Sequence, residues 1–524
     1  MRVAALLVVL VVLVSGCVST KAPADVVISD ELYYIGLMDD YTMLLTYQFT
    51  ARNSGGSDAL LEFSINPGFQ HPTCLEILNG KMEEVVCSTE VIEERFLQRN
   101  LKIDRPLKQG DRASFSLNLY GCPITLSYEP FLKEEVSEIS SYWLVNHRYR
   151  GEGNKKISLT VQDPEYPVVV GEGVKLVEKS QSPVREQSTN SKAIAPKNHT
   201  TYNYTAEGSF RACVSDFANL KEERDGIIYK VYLAPSDRDL LPWVLDTASG
   251  AVGRYSDVFY PYPFKEYTVL ANDKNRASGG GNGGANYTIY NTISDYYLLV
   301  HEIGHAWFGS MVGPAEGRDG WLGEGGASYC ELVMGERRDD FREHLKEMHR
   351  GALTDDEPVV REDPSMWVMY DKGAVVFRML QYVMGDAFYD LMHELFQRYN
   401  GEGITTEDFI ALANEYGDYQ WFFDQWLYRG GAPDYSIRDM MYENGTLTFR
   451  VVQEGEIYRM PLDVAFIMDD GKEARERVLV YEKEELLSFV IERPAEIVLD
   501  PDMWVLKRFD LSEDPDAKWT YVLS

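Results

Sequence analysis

This chain has few positively charged residues relative to its negatively charged ones. Its 524 residues include 51 Lys and Arg against 83 Asp and Glu, which gives a formal net charge of −32. Nucleic-acid binding rests on basic patches that neutralise phosphates, so the composition argues against DNA or RNA as a partner. A strongly acidic, self-repelling surface is expected instead. The hydrophobic share of 45% and the charged share of 26% are those of an ordinary globular protein.

Long hydrophobic runs are missing after the first residues. The apolar run Val3 to Val14 is shorter than the roughly 20 residues that a spanning helix needs, and no later run is longer. With Met1-Arg2 before it and V-S-G-C after it, the run has the pattern of a signal peptide. V-S-G-C resembles the lipobox of prokaryotic lipoproteins. We therefore expect residues 1–17 to be a lipoprotein signal peptide and a lipid on Cys17 to anchor the exported chain to the outer face of the cell membrane. An ordinary secretory signal is the alternative.

Cysteine is scarce, and none of the six has zinc-ligand spacing. Export would permit disulfides. Cys74 and Cys87 flank the hairpin signal Asn79-Gly80, whose two-residue turn pairs position 74 with 85, so a bridge to Cys87 needs an offset or a bulge. Cys122–Cys213 is a weaker candidate pair. Cys330 is expected to be a buried free thiol.

Histidine is scarce too, yet two of the eight flank a glutamate in H-E-x-x-H at residues 301–305. On a helix that Ser294 or Asp295 could cap, residues four apart share one face. His301 and His305 can then reach one metal ion, and Glu302 can reach a water beside it. A zinc hydrolase needs two neutral imidazole ligands, an open coordination position and a carboxylate base. A helix with two core or surface histidines is the alternative.

A candidate third ligand follows a Gly-rich turn. Glu324 comes 19 positions after His305, within W-L-G-E-G-G-A-S-Y at residues 321–329. A second helix packed beside the first would bring this carboxylate to the two imidazoles and complete a His₂Glu site. The alternative for Glu324 is a solvated acid at the start of a helix.

These motifs in this order resemble the aminopeptidase N family of thermolysin-like zinc peptidases, the gluzincins. The similarity continues at residues 370–374, which read Y-D-K-G-A against the family's Y-x-K-G-A, and at residues 422–427 and 430–433. It is strong from about Ser209 to Pro433. The family's A-R-x-x-F-P-C-x-D-E-P signature in the preceding domain has no counterpart here, so any substrate contact of that domain cannot be carried over.

The resemblance implies a role for each matching residue. It implies one Zn²⁺ held by His301, His305 and Glu324. Glu302 would be the general base, and Tyr370 would hydrogen-bond the oxyanion of the tetrahedral intermediate. Asp319 matches the family's D-x-W-L, and we expect it to support the metal ligands from behind. The substrate is expected to be a peptide or protein.

The chain departs from the family in a Gly-rich stretch. Residues 278–286 read S-G-G-G-N-G-G-A-N where the family has G-x-M-E-N, and no Asp or Glu occurs between Asp273 and Asp295. In the family that Glu binds the free α-amine of the substrate. The bare backbone of four glycines would still let a peptide approach closely, and we expect substrate contacts there. These are Gly280, Gly281, Gly283 and Gly284. A plain flexible loop is the alternative.

Loss of this amine anchor leaves three options open. The protein could cut peptides internally, prefer very small or glycine-rich substrates, or draw an amine anchor from another segment. Two other classes of function also stay open, a peptide-binding or scaffold protein without activity and a zinc hydrolase of a non-peptide substrate. Five intact catalytic-type residues weigh against the scaffold, and nothing specific favours a non-peptide substrate.

The predicted architecture is α+β and multidomain. An N-terminal β domain is expected at 18–205, a thermolysin-like zinc peptidase domain at 206–432 and a small C-terminal β-sandwich at 433–524. Strands are predicted at 41–51, 60–65, 113–119, 157–161, 168–170, 227–233, 267–271, 447–452, 462–468, 477–481 and 497–499. Helices are predicted at 239–259, 371–384, 387–398 and 406–415. The polar stretch Gln181 to Asn203 is predicted to be a loop. Because the sequence stops at Ser524, we expect no large helical domain after the sandwich.

Overall fold

The computed structural model describes most of the chain from Val26 onward. The described ranges are 26–37, 43–55, 57–65, 69–78, 81–85, 87–93, 97–121, 137–140, 145–146, 150–162, 166–171, 173–183, 198–208, 210–271, 281–511 and 514–523. The architecture is α+β and multidomain, as predicted, and its internal contacts divide it into two compact units. The predictions for Cys17, Cys122 and Gly280 lie outside the described residues.

The first unit covers residues 1–245, 265–280 and 289–294 and is built from strands. Its strands are β1 Val26–Leu37, β2 Met43–Asn53, β3 Ala59–Ile65, β4 Phe69–Leu78, β5 Lys81–Val85, β6 Cys87–Glu93, β7 Leu97–Leu107, β8 Arg112–Gly121, β9 Ser137–Ser140, β10 Val145–Asn146, β11 Arg150–Glu152, β12 Lys155–Gln162, β13 Tyr166–Gly171, β14 Lys175–Pro183, β15 Asn198–Ala206, β16 Phe210–Ser215, β17 Ala218–Arg224, β18 Ile227–Leu233 and β19 Glu266–Ala271.

Two large sheets share an aromatic core in this unit. The larger has the order β14-β15-β12-β1-β2-β8-β4-β5, with β11 also paired to β1, and the smaller has the order β10-β3-β7-β6. Side chains alternate between faces along a strand, and β2 buries every second residue over much of its length. Phe49 of β2 and Phe63 of β3 meet with ring centroids 4.9 Å apart. The predicted N-terminal strands are confirmed.

The remaining strands of the first unit form two smaller groups. One is a three-stranded sheet of order β13-β16-β9, and the other contains β17, β18 and β19 paired in that order. Strands β17 and β18 form an antiparallel hairpin, whereas β18 and β19 run parallel. The strands predicted at 227–233 and 267–271 are therefore confirmed.

One sequence prediction fails in the first unit. The stretch Gln181 to Asn203 was expected to be a loop, but β14 extends to Pro183 and β15 begins at Asn198. The polar composition of this stretch suggested a loop, but β15 contains the strand formers Thr and Tyr. Its Tyr202 and Tyr204 face the interior. The polar residues on its other face carried the loop signal.

The cysteines behave partly as predicted. Cys74 lies opposite Val85 in the β4–β5 hairpin, the register that a two-residue turn requires, and it is disulfide-bonded. The side chain of Cys87 is outside the described part, so the Cys74–Cys87 pair stays a prediction. Cys213 is a buried thiol, so the pairing of Cys122 with Cys213 is wrong. Cys330 is a buried free thiol, as expected.

The second unit covers residues 246–264, 281–288 and 295–524. Its helices are α1 Leu241–Val258, α2 Tyr296–Gly304, α3 Gly320–Gly335, α4 Phe341–Ala352, α5 Gly373–Met384, α6 Ala387–Arg398, α7 Thr406–Asn414, α8 Gln420–Trp426 and α9 Pro515–Trp519. Short 3₁₀ segments, Pro235–Leu240 and Gly317–Asp319, precede α1 and α3, and the π-helical turn Val368–Lys372 precedes α5.

Its strands complete the list. They are β20 Gly281–Gly284, β21 Tyr287–Tyr290, β22 Val312–Pro314, β23 Glu402–Ile404, β24 Asp434–Glu443, β25 Thr446–Glu454, β26 Met460–Ile467, β27 Glu473–Val480, β28 Glu484–Val490, β29 Glu496–Leu499 and β30 Thr520–Val522. The last seven form two sheets of order β24-β25-β28 and β27-β26-β29-β30. Phe466 of one meets Phe489 of the other at 4.9 Å, so the predicted C-terminal sandwich is present.

The predicted helices are also confirmed, with small shifts at their ends. Thr405 and Asp408 form a capping box at the start of α7, which satisfies two orphan backbone donors. The helix predicted at 371–384 begins as the π turn and becomes α-helical at Gly373. Among the described helices, none is both long and apolar enough to cross a membrane.

Candidate metal centre

Three side chains of the second unit converge on one point. Oε2 of Glu324 lies 3.6 Å from Nε2 of His301 and 3.3 Å from Nε2 of His305. The three ligand-type atoms all lie within 4.8 Å of one another, and no other such cluster of three or more occurs in the described part of the chain. Two imidazole nitrogens and one carboxylate oxygen are donors that Zn²⁺ prefers, so this cluster could hold the ion.

Helix α2 brings the two histidines to one face. Asp295 caps it by accepting a hydrogen bond from the Leu298 N–H at 3.0 Å, as one of the two predicted caps would. His301 lies inside the last turn, and His305 follows the final residue of the helix. The four-residue spacing therefore points both imidazoles toward the same neighbour, helix α3.

Glycines let α3 lie close to the elements on both sides of it. A methyl group added to Gly304 of α2 would lie 2.9 Å from Sγ of Cys330, and one added to Gly325 would lie 2.8 Å from Cα of Gly373 in α5. Real side chains do not tolerate such contacts. The short interhelical distance that carries Glu324 to the histidines therefore depends on the absence of side chains here.

The second nitrogen of each imidazole is already engaged. Nδ1 of His301 lies 2.9 Å from Oε1 of Glu331 and 3.3 Å from Oγ of Ser328, and Nδ1 of His305 lies 2.9 Å from the carbonyl oxygen of Phe308. A partner on Nδ1 fixes the tautomer and the ring plane. Both rings are thus held with Nε2 directed at the centre of the cluster.

The electrostatic field of the cluster suits a cation. Burial alone lowers the pKa of His301, but hydrogen bonds to Glu324 and Glu331 raise it well above the usual 6.5. For His305, burial also lowers the pKa, and the charge of Glu324 raises it above the usual value. Burial raises the pKa of Glu324, yet the two imidazoles outweigh it and lower that pKa. Positive charge is therefore favoured at the centre of the three side chains.

Glu302 lies next to the cluster and is buried. Its burial raises the pKa of the carboxyl above the usual 4.5, and the positive histidines and a hydrogen bond from the Gly283 backbone act in the opposite direction. A buried carboxylate with a raised pKa beside a metal-type cluster is equipped to accept and release a proton near neutral pH. The sequence prediction had placed Glu302 at this position.

Tyr370 reaches the same place from the π turn before α5. Its ring stacks over His301 with centroids 5.8 Å apart and planes within 10°. Burial raises the pKa of its phenol above the usual 10, and the nearby charge of Glu324 adds to the rise. Single π turns occur often at functional sites, and here the turn directs the hydroxyl toward the cluster. The phenol is protonated at neutral pH and can donate a hydrogen bond.

Strand β20 lies against the other side of α2. A methyl group on Gly281 would lie 2.5 Å from the Glu302 carboxyl, and one on Gly283 would overlap the Glu302 backbone oxygen and lie 2.6 Å from Cβ of His305. On Gly284 the methyl group would meet the ring of Tyr287. The glycines at 281 and 283 thus make room for helix α2. The sequence did not reveal this reason for glycine at these positions.

Asp319 has contacts different from those expected. Its carboxylate was predicted to support the metal ligands, but Oδ1 accepts hydrogen bonds from the backbone N–H and the hydroxyl of Thr406, at 2.9 and 2.7 Å. Trp321 also donates to that hydroxyl at 3.0 Å. Asp319 therefore fastens the start of α7 to the start of α3, which carries Glu324. It forms no direct hydrogen bond to a residue of the cluster.

Ser328 and Glu331 were not predicted as site residues from the sequence. Both lie on α3 at positions four and seven after Glu324, so they share its face and can reach His301. That helical spacing was a readable signal. His344, whose Nε2 lies 2.8 Å from Oε2 of Glu331, carries no such signal because it comes from another helix.

Comparisons with known proteins agree with this geometry. Residues 243–426 match the model of the Peptidase family M1 domain. Endoplasmic reticulum aminopeptidase 1 of Mus musculus is 27% identical over 229 residues, covering 37% of this chain and 24% of that protein. Thyrotropin-releasing hormone-degrading ectoenzyme of Rattus norvegicus is 28% identical over 285 residues, covering 45% of this chain and 26% of that protein. The matched stretch spans about a quarter of these relatives.

A solved structure extends the likeness in fold. The crystal structure of Legionella pneumophila aminopeptidase A in complex with aspartic acid superposes with a TM-score of 0.64 at 15% sequence identity. The match covers 94% of this chain and 60% of that chain. At this level of identity the likeness concerns the fold.

The cluster and the matched domain resemble those of metallopeptidases. Within that class, residues 243–426 are similar to the domain of peptidase family M1, and the matched relatives are aminopeptidase-type proteins over that region. Peptidases of this family depend on zinc and act on peptides, and the donor atoms of His301, His305 and Glu324 fit that metal.

Proposed function

We propose that the protein is a zinc metallopeptidase that hydrolyses peptide bonds with Glu302 as the general base. The observation that carries the proposal is the convergence of His301, His305 and Glu324, beside the buried carboxylate of Glu302. A scaffold protein has no physical need for two imidazoles whose Nδ1 partners fix the direction of Nε2. It also has no need for a buried glutamate with a raised pKa. The family match over 243–426 supports the same conclusion.

The proposed roles follow from the contacts of each residue. One zinc ion held by the three ligands would supply Lewis acidity and lower the pKa of a water to about 7. Glu302 takes a proton from the attacking water and returns it to the leaving amine. Tyr370 donates a hydrogen bond to the oxygen that gains negative charge during the attack. Glu302 thus accepts the proton while Tyr370 stabilises the negative charge that develops on the substrate oxygen.

We further propose that recognition of the substrate N-terminus is altered. The stretch between Asp273 and Asp295 holds no acidic residue that could pair with an α-amine. A peptide backbone running along β20 would meet only glycine and Asn282 at the edge next to Glu302. Without an anchor for the amine, positions within a chain become as accessible as its end. Internal cleavage is therefore the outcome that we favour, with contacts to Gly280, Gly281, Gly283 and Gly284.

The proposed location is the outer face of the cell membrane. V-S-G-C at residues 14–17 supports lipidation of Cys17, and the apolar run before it supports export. A matched relative is an ectoenzyme by name. Metabolic labelling with a fatty acid would mark the protein but not its Cys17→Ala variant, and equal labelling of both would contradict the lipid anchor.

One peptide in two forms tests the proposed activity. The purified chain without residues 1–17 is given the same peptide with a free and with an acetylated N-terminus, and Glu302→Gln serves as the control. We expect both forms to be cut by the wild type. The control, which keeps all three ligands, should bind zinc and lose activity by about 10²–10⁴-fold.

The other outcomes are equally informative. Cleavage of the free peptide alone would contradict internal cutting and would place an amine anchor outside the Gly-rich stretch. No cleavage of either form by protein that holds zinc would contradict the peptidase proposal itself. Full activity of Glu302→Gln would remove Glu302 from the role of general base.

A further inference from the structure

His344 lies outside the cluster but contacts both helices that supply it. The side chain comes from α4, and its Nε2 lies 2.8 Å from Oε2 of Glu331 on α3. The angles are those of an ion-pair contact, not of an in-line hydrogen bond. On its other side the imidazole stacks on Tyr297 of α2, with centroids 3.5 Å apart and planes within 5°.

Each of these two neighbours is connected to the metal ligands. Glu331 uses its other oxygen on Nδ1 of His301, at 2.9 Å. Tyr297 precedes His301 by four positions, so it lies on the same face of α2. His344 thus inserts between α2, which carries the two histidines, and α3, which carries Glu324.

The Tyr297 side chain is itself held in place by hydrogen bonds. The Tyr297 hydroxyl donates to Oδ1 of Asp340 at 2.9 Å, and Arg338 holds that carboxylate with two hydrogen bonds of 2.8 Å. The Arg338 guanidinium also lies 4.0 Å from the ring centre of Tyr296. The ring that His344 packs against therefore has little freedom to shift, and a fixed ring fixes the imidazole plane.

We propose that His344 is a positioning residue that sets the geometry of the His₂Glu site by holding Glu331 against His301. Its contacts are with Glu331 and Tyr297, and it acts through the Glu331 carboxylate. Partners of metal-ligating histidines govern metal affinity, and loss of one such partner costs about 10–100-fold. The inference rests on the proposed zinc site but not on peptide hydrolysis.

The test compares variants of His344 with the wild type by zinc affinity and by a spectrum. Competition with a chromogenic chelator gives the zinc dissociation constant, and the visible absorption of the Co²⁺-substituted protein reports the ligand geometry. His344→Phe keeps the stack but removes the nitrogen, and we expect about 10–100-fold weaker zinc binding with a shifted Co²⁺ spectrum. His344→Gln, whose amide can donate to Glu331, should restore most of the affinity.

The matched control is His393→Phe. His393 also packs against an aromatic ring, Tyr260 at 5.1 Å, but lies on α6 away from the cluster, so both readouts should stay unchanged. A second arm repeats His344→Phe in a Glu331→Ala background. If His344 acts through Glu331, the double variant binds zinc no more weakly than Glu331→Ala alone.

Two results would overturn the proposal. One is wild-type affinity and an unchanged spectrum in His344→Phe, and the other is full additivity of the two substitutions. Circular dichroism checks folding, and if the Phe variant is unfolded, the Gln variant decides between rescue and loss. Zinc binding without peptide cleavage by the wild type would contradict the proposed function and leave this inference standing. A wild type that binds no zinc would contradict both.

Discussion

Tyr370 is the residue whose role depends most on its surroundings. Its side chain is half-buried, its ring lies over His301 and its pKa is raised above 10, first by burial and then by Glu324. Because the pKa is raised and not lowered, the proton is retained throughout the pH range in which a peptidase works. In the proposed role, the hydroxyl is therefore a donor that acts when negative charge appears on the substrate.

Replacing Tyr370 by Phe isolates that donor. We expect kcat to fall by about 10²–10³-fold with little change in KM, because the lost hydrogen bond forms mainly in the transition state. In the wild type, kcat should show no decline from loss of this proton below about pH 10. Steady-state kinetics over a pH series measures both quantities.

Tyr428→Phe provides the matched control for that series. Tyr428 is partly exposed, contacts Glu407 at 3.4 Å and lies outside the cluster. The Tyr428→Phe variant should therefore have the kcat and KM of the wild type. An unchanged kcat in Tyr370→Phe would contradict the proposed role of Tyr370. A rise in KM alone would assign Tyr370 to substrate binding.

At this scale the sequence predicted which three ligand-type residues lie together, whereas their roles stay predictions. His301, Glu302 and His305 follow from helical spacing, which holds in any fold, and Glu324 and Tyr370 follow from motif resemblance. Asp319 directly precedes the helix that carries Glu324, but its carboxylate accepts hydrogen bonds from Thr406 and not from a residue of the cluster. His344 could not be predicted, because its contact depends on how three helices pack and no local pattern records that packing.

Strand β20 is the element on which the site depends in an unexpected way. Its glycines allow backbone to lie against α2, and the Gly283 N–H donates to Glu302. A side chain at 281 or 283 would displace either the strand or helix α2, which carries Glu302. The Gly-rich stretch therefore has a structural purpose even where it carries no amine anchor.

Gly283→Ala tests that purpose. The added methyl group would overlap the Glu302 backbone oxygen and crowd Cβ of His305, so one element must move. We expect a loss of stability of about 1–3 kcal/mol and a fall in kcat/KM of about 10²-fold. Chemical denaturation and steady-state kinetics measure the two effects.

Gly253→Ala is the control for this substitution. Gly253 lies within α1 with no atom within 4 Å of an added methyl group, and alanine is the better helix former. Its stability should rise by about 0.5–1 kcal/mol, with unchanged kinetics. Wild-type kinetics and stability in Gly283→Ala would show that β20 does not constrain the catalytic helix.

Elements were predicted best where a pattern was long and periodic. Strand β18 and helix α6 have the predicted bounds, because each has a clear period and clear end signals. Strands β15, β24 and β28 are among those that were not predicted. They are rich in Asn, Asp, Glu or Ser, and β24 and β28 bury few or no residues, so composition pointed to loops while pairing with neighbouring strands decided the structure.

At the scale of the whole chain, the second unit contains all five residues of the proposed site, which are His301, Glu302, His305, Glu324 and Tyr370. The net charge of −32 requires no explanation from the site, since the cluster itself accounts for few of the 83 acidic residues. It fits a protein whose exterior repels its own copies and which, as we propose, is held at a membrane by a lipid. The prediction of an α+β multidomain architecture is confirmed, and the domain limits stay predictions.

Zinc dependence tests the central claim most directly. The purified protein is assayed for metal content and peptide hydrolysis before chelation, after chelation and after return of zinc, beside Glu324→Ala. We predict about one zinc ion per chain, complete loss of hydrolysis after chelation, recovery with one equivalent of zinc, and neither zinc nor activity in the folded Glu324→Ala protein. Hydrolysis that persists in the chelated protein, or in Glu324→Ala, would contradict the account.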